Sequence, residues 1–74
     1  IYSFQMEVTY MEIHKKIKEA RINAGLTQEQ VAEILGTSPQ TISRWETGTS
    51  TPDIMMLPKI ASYFDITVDE LLGI

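Results

Sequence analysis

The sequence contains no cysteine and a single histidine among its 74 residues. Without cysteine the chain forms no disulfide, and neither a zinc knuckle nor a cysteine nucleophile can be built. One histidine is too few for a histidine-built metal site. No apolar run approaches the roughly 20 residues that span a bilayer, and no signal-peptide pattern is present. We therefore predict a soluble, cytoplasmic protein with no metal, no cofactor and no membrane partner.

The residue combinations of common catalytic sites are also missing. There is no glycine-rich phosphate loop, and no histidine in a recognisable serine–histidine–carboxylate arrangement. The carboxylates fall at predicted helix starts and on predicted surfaces, where they favour helix N-termini. We therefore predict that the protein is not an enzyme.

Basic residues are scarce, and the formal net charge of −4 argues against a protein that coats nucleic acid through bulk charge. The charge is unevenly distributed, however. Residues 11–44 hold five of the six basic residues against four acidic ones, whereas residues 45–74 carry a net charge of −4. The acidic character therefore belongs mainly to the C-terminal half.

Composition places the chain among small globular domains. Hydrophobic residues make up 43% and charged residues 22%, and a chain of this length holds one domain near the lower size limit. We expect a single compact core.

The first ten residues alternate between apolar and polar without exception, which is the pattern of a half-buried strand. Such a strand could pair with a copy from another chain, or the segment could be an arm that the domain does not need. The chain begins with Ile, and Met11 is a plausible start. We therefore divide the sequence into an N-terminal arm or artificially added segment, residues 1–11, and a domain, residues 12–74.

From Glu12 the apolar period becomes helical. Ile13, Ile17, Ala20 and Ala24 share one face, and Gly25 follows where a helix favours a C-terminal glycine. We predict that the lone His14 lies on the surface.

Two further helices are marked by their caps. Thr27 and Gln30 form a capping box that opens a second helix, and Ser38-Pro39 provide a cap and a first helical residue for a third. The predicted apolar positions of these two helices are Val31, Ala32, Ile34, Leu35, Ile42 and Trp45.

The remaining apolar residues predict two more helices. A fourth helix carries Leu57, Ile60, Ala61 and Phe64, with Pro58 in its first turn. A capping box from Thr67 to Glu70 opens a short fifth helix that contains Leu71 and Leu72. The fold class is therefore all-α, a compact five-helix domain with a short N-terminal arm.

Only Gly36-Thr37 join the second and third helices, which predicts a sharp turn of the helix-turn-helix type. At this point the chain resembles the lambda-repressor-like, Cro/cI-type (XRE) family of regulators, over about residues 12–73. The resemblance rests on Ala32, Gly36, Val31, Leu35, Ile42, the Trp45-Glu46-Thr47-Gly48 ending, and the flanking Arg21…Gly25-Leu26-Thr27-Gln28 and Ile60-Ala61…Phe64…Asp69-Glu70-Leu71-Leu72.

The resemblance implies that the third helix enters the DNA major groove and that the second lies across the backbone. The candidate base contacts are Ser38, Pro39, Gln40, Thr41, Ser43 and Arg44. The candidate phosphate contacts are Gln28, Thr27, Thr47, Thr49 and Ser50. Arginine can donate two hydrogen bonds to guanine, and glutamine can pair with adenine. Pro39 departs from the polar residue common at its position and offers only an apolar contact.

Two other interpretations concern the scaffold. By resemblance, Arg21 and Glu46 form a structural ion pair. Trp45 is predicted to be core and not a platform for stacking bases, because of its spacing from Ile42.

The loop of residues 49–51 contains no lysine or arginine, which predicts modest affinity and low non-specific DNA binding.

The sequence therefore predicts a transcriptional regulator, a repressor, that binds a pseudo-palindromic double-stranded DNA operator as a homodimer. The alternative is a protein-interaction module or antitoxin that serves a protein partner as well as DNA or in its place. A third interpretation is that the chain is one domain of a longer regulator with a further domain.

Overall fold

The computed structural model describes residues 2–73, with side chains from residue 13 onward. Within this part of the chain five α-helices and one short 3-10 helix follow one another. They are α1 (Tyr2–Asn23), α2 (Gln28–Leu35), α3 (Pro39–Thr47), the 3-10 helix (Ile54–Met56), α4 (Leu57–Tyr63) and α5 (Val68–Leu72). Residues 2–73 contain no strand. The prediction of an all-α, five-helix domain is confirmed.

Of the two interpretations of the first ten residues, the strand is wrong, because α1 begins at Tyr2 and runs without interruption to Asn23. A lone strand leaves its backbone groups without ladder partners, whereas a helix pairs them within the segment. No glycine or proline lies between residues 2 and 23 to stop the helix. Residue 1 lies outside the described residues, and the division at residue 11 stays a prediction.

One hydrophobic core joins all five helices. Its buried members are Ile13, Ile17, Val31, Ala32, Ile42, Trp45, Ile60, Ala61 and Leu71. Around them pack half-buried apolar residues such as Leu26, Leu35 and Phe64. The helical spacing of apolar residues thus predicted most of the core, with two errors: Ala24, expected on the apolar face of the first helix, and Ile34, expected on that of α2, are exposed.

The predicted caps of α2 and α3 are confirmed. Gln30 N–H donates to Thr27 Oγ1 at 3.1 Å, and Thr27 N–H donates to Gln30 Oε1 at 2.8 Å. Ser38 caps α3, where Thr41 N–H donates to Ser38 Oγ at 3.2 Å. These local bonds fix the starts of both helices of the helix-turn-helix.

The cap of α5 is realised in part. Glu70 N–H donates to Thr67 Oγ1 at 3.0 Å, as predicted. The Glu70 carboxylate accepts from the Thr67 hydroxyl at 3.4 Å.

The turn between α2 and α3 depends on a left-handed residue. Gly36 has φ 73°, and its N–H points back to the carbonyls of Ala32 and Glu33. Thr37 N–H also donates to Ala32 O, at 2.8 Å. This tight closure of α2 directs the chain into α3 within two residues.

In residues 2–73 no helix combines the length and the apolar character required to cross a membrane.

Candidate nucleic-acid interface

Two buried side chains determine which side of α3 faces outward. Ile42 is completely buried and Trp45 is 5% exposed, and both pack into the core. Residues at positions i, i+3, i+4 and i+7 share a helix face, so Gln40, Ser43, Arg44 and Thr47 lie together on the opposite side. Trp45 is a core residue, as its spacing predicted.

The predicted base-contacting residues differ in their accessibility. Pro39, Gln40 and Arg44 are exposed. Ser38, Thr41 and Ser43 are half-buried, and the hydroxyls of Ser38 and Thr41 lie 2.9 Å apart as part of the α3 cap. The long side chains of Gln40 and Arg44 therefore have the greatest reach, while Ser38 and Thr41 already serve the helix start.

The outward face of α3 has the chemistry to read base edges. A guanidinium presents a planar fork of donors that matches the two acceptors of guanine in the major groove. A primary amide offers a donor and an acceptor side by side, which matches adenine. Arg44 and Gln40 place these two groups one helical turn apart on an exposed surface.

The starts of α2 and α3 meet at a shared surface. Thr27, Gln28 and Glu29 at the start of α2 line one open groove together with Pro39, the first residue of α3. Free backbone N–H groups at the first turn of a helix favour an anion. The structure thus brings the predicted phosphate contacts Thr27 and Gln28 next to the beginning of the exposed α3 face.

An ion pair links α1 to α3. Arg21 Nε donates to Glu46 Oε2 at 2.6 Å, and Arg21 Nη2 donates to Glu46 Oε1 at 3.0 Å. The side chains of Arg21 and Glu46 are 15% and 3% exposed. The hydrogen bond to Glu46 raises the pKa of Arg21 above its ordinary value. This two-bond geometry resists rotation and fixes α3 against α1.

The same pair holds the segment between α1 and α2. Arg21 Nη1 donates to the carbonyl of Leu26 at 3.0 Å. Gln28 Nε2 donates to Glu46 Oε1 at 3.2 Å. Three elements therefore converge on one partly buried polar cluster, and sequence reasoning had predicted only its Arg21–Glu46 member.

The loop after α3 folds back on the helix end. The carbonyl of Arg44 accepts from Thr49 N–H at 2.9 Å and from Ser50 N–H at 3.2 Å. The Thr47 hydroxyl lies 2.9 Å from that of Thr49. The predicted phosphate contacts Thr47, Thr49 and Ser50 are thus gathered at the C-terminal end of α3.

His14 lies against Gly48 at the end of α3, and its predicted surface position is wrong. It is 8% exposed, and burial lowers the pKa of its imidazole. A Cβ built on Gly48 would lie 3.1 Å from His14 Nδ1. The packing of α1 against α3 covers the ring, and the sequence pattern of α1 alone carries no signal of that contact.

Among the side chains that the structure describes, residues 13–73, no group of three or more histidine, aspartate and glutamate residues is placed to hold a metal ion.

Comparisons with known proteins agree with this geometry. A family model described as "Helix-turn-helix" matches residues 17–71. The chain is similar to the HTH-type transcriptional activator BcrR of Enterococcus faecalis, at 44% identity over 63 residues, which is 85% of this chain and 31% of BcrR. It is also similar to the cryptic phage CTXphi transcriptional repressor RstR of Vibrio cholerae, at 32% identity over 58 residues, which is 78% of this chain and 52% of RstR.

A third relative carries a different name. The chain is 34% identical over 61 residues to the antitoxin PezA of Streptococcus pneumoniae, which is 82% of this chain and 39% of PezA. The chain thus spans between about a third and about half of the length of these relatives.

Proposed function

The chain belongs to the helix-turn-helix family, and we propose that it is a sequence-specific, double-stranded DNA-binding transcriptional regulator that inserts α3 into the major groove. The observation that carries this proposal is the two-sided character of α3. Ile42 and Trp45 lock the helix to the core, while Arg44 and Gln40 face solvent with groups suited to base edges.

We assign the backbone contacts to two regions on either side of this helix. Gln28 and Thr27, at the groove shared with Pro39, bind one phosphate with the help of the first-turn N–H groups of α2. Thr47, Thr49 and Ser50 bind a second one. All five side chains are uncharged, so we expect modest affinity and a shallow salt dependence, because the slope of roughly −0.9 per phosphate applies only to a phosphate that a cation neutralises.

We further propose that the protein binds a pseudo-palindromic operator as a homodimer, with half-sites about one helical turn apart. The described surface offers an apolar contact for a second copy. Ile54 and Met55 are adjacent, each is 77% exposed, and they follow shortly after α3. Large exposed apolar side chains favour association. Met55→Glu should then weaken the dimer in sedimentation experiments, whereas Met55→Leu, as a matched control, should preserve it.

Repression is the regulatory effect that we expect, through an operator that overlaps a promoter. The relative RstR is named a repressor and BcrR an activator. Transcription in vitro from a promoter that carries the selected operator distinguishes the two effects. Such a regulator would act in the cytoplasm.

Selection of bound duplexes from a random pool tests the proposal. We expect enrichment of one half-site sequence in two inverted copies at a constant spacing. An unchanged pool would refute sequence-specific DNA binding, and a single half-site without its inverted copy would refute the homodimer.

The name of PezA motivates a second candidate, an antitoxin that binds a protein partner as well as DNA. The acidic C-terminal half, with a net charge of −4 over residues 45–74, would suit a basic partner. A basic protein that binds the chain in competition with the selected duplex would support this candidate. An enriched operator with no such competition would favour the regulator alone.

A further inference from the structure

The Glu46 carboxylate accepts hydrogen bonds from two different elements. Its Oε2 accepts from Arg21 Nε, and its Oε1 accepts from Arg21 Nη2 at 3.0 Å and from Gln28 Nε2 at 3.2 Å. Glu46 belongs to α3, yet it holds the first residue of α2. With its side chain only 3% exposed, this carboxylate faces the protein and not the solvent.

We propose that Glu46 is a positioning residue, which orients the Gln28 side chain for its phosphate before DNA arrives. This inference rests on the proposed function, because it assigns a cause to the phosphate contact of Gln28. It gives Glu46 a part in DNA binding in addition to its ion pair with Arg21.

The chemistry of the amide supports this role. A glutamine amide carries two N–H donors and one carbonyl acceptor. When one N–H of Gln28 points at Glu46, the second N–H diverges from it within the same plane and remains available for another acceptor. A long side chain that is ordered in the free protein loses less conformational entropy on binding than a mobile one.

Arg21 offsets the repulsion that the Glu46 carboxylate would otherwise exert on a phosphate bound by Gln28. A carboxylate without a counter-charge would repel a phosphate held by the neighbouring residue. The two bonds from Arg21 neutralise the carboxylate, and the bond from Arg21 Nη1 to Leu26 O fixes the guanidinium on the other side. The pair thus holds Gln28 through a hydrogen bond without adding net charge beside the phosphate.

The test must remove the Glu46 carboxylate that holds Gln28 without leaving the charge of Arg21 uncompensated, since a partly buried unpaired charge can unfold a small domain. The combined replacement Arg21→Met with Glu46→Met removes both charges and keeps apolar volume. The measured quantity is the affinity for the duplex that the wild-type protein selects from a random pool. Four proteins are compared: wild type, Gln28→Ala, the methionine pair, and the methionine pair with Gln28→Ala.

We expect Gln28→Ala to weaken binding roughly tenfold in the wild-type background, the size of a lost hydrogen bond to a charged group. In the methionine-pair background the same change should cost less than about twofold, because Gln28 is no longer held in place. Equal losses in the two backgrounds would overturn the inference.

A second measurement needs no DNA and reports directly whether Glu46 holds the Gln28 amide in place. The ¹⁵N relaxation of the Gln28 side-chain amide should report a rigid group in the wild-type protein and a mobile one in the methionine pair. The amide of Gln40, on the exposed face of α3, is the internal control and should be unchanged. A Gln28 amide that is equally mobile in both proteins would contradict the inference.

The outcomes separate the two levels of the proposal. A random pool that shows no enrichment overturns the proposed function, and the inference with it. An enriched operator to which Gln28→Ala binds as tightly as wild type overturns the phosphate contact and the inference, while leaving the proposed function in place.

Discussion

The turn that ends α3 offers a quantitative test of how the scaffold supports the interface. Gly48 has φ 84°, and a Cβ built on it would lie 3.1 Å from Nδ1 and 3.3 Å from Cε1 of the His14 ring. Gly36, at the end of α2, has φ 73° with no atom within 4 Å of its built Cβ. Both glycines therefore adopt a left-handed backbone that disfavours a side chain. Only at Gly48 would an added Cβ also contact a neighbouring side chain, that of His14.

The expected loss of unfolding free energy on replacement by alanine therefore differs between Gly36 and Gly48. A left-handed conformation costs a residue with a Cβ about 1–2 kcal/mol, part of which is offset because alanine has less freedom than glycine in the unfolded chain. Gly36→Ala should therefore lower the free energy of unfolding by about 1 kcal/mol. Gly48→Ala should cost about 1–2 kcal/mol more, since the buried His14 ring has to move to accommodate the new methyl group.

Urea unfolding measures both values, with the fluorescence of Trp45 as the probe, since it is the single tryptophan and is buried. Adding His14→Ala to each variant completes the comparison, because removing the ring should make the two glycine replacements equally costly. Equal costs in the presence of His14, or an excess at Gly48 that survives His14→Ala, would refute the steric account.

Further predictions concern strain, charge and the first cap. Asp65, two residues after the end of α4, has φ 56°, so Asp65→Gly should raise the free energy of unfolding by up to about 1 kcal/mol in urea unfolding, and an unchanged midpoint would argue against strain. Burial lowers the pKa of His14, so the unfolded chain binds that proton more readily and stability should fall as the pH drops through about 6.5. His14→Leu should remove this part of the pH dependence, and identical profiles for both proteins would contradict it. Thr27→Ala should cost about 1 kcal/mol by thermal unfolding through loss of the α2 cap, and a loss near zero would exclude a contribution from that bond.

Local signals made α2 and α3 predictable. Their first residues are set by Thr27 and Ser38, whose side chains bond to N–H groups three residues ahead. Such contacts are encoded within four consecutive residues, so they can be recognised without knowledge of the tertiary structure. The buried Ile42 and Trp45 follow from helical spacing for the same reason.

Long-range packing explains what the sequence did not reveal. The burial of His14 depends on α1 meeting α3, and the Gln28–Glu46 bond joins residues 18 positions apart. The alternating N-terminal residues matched a strand pattern, but a strand requires a partner that the pattern cannot supply. The start of α1 at Tyr2 shows that helix continuity prevailed over alternation.

The proposed function requires that α3 reads bases through Arg44, a claim that DNA-binding affinities can check. The affinities of wild type and Arg44→Ala are compared on the selected operator and on variants changed at each base pair in turn. We predict that Arg44→Ala costs about 1–3 kcal/mol on the selected operator and abolishes discrimination at one base pair in each half-site. An equal loss of affinity on every sequence, with discrimination intact at all positions, would show that Arg44 contacts a phosphate and would contradict the claim.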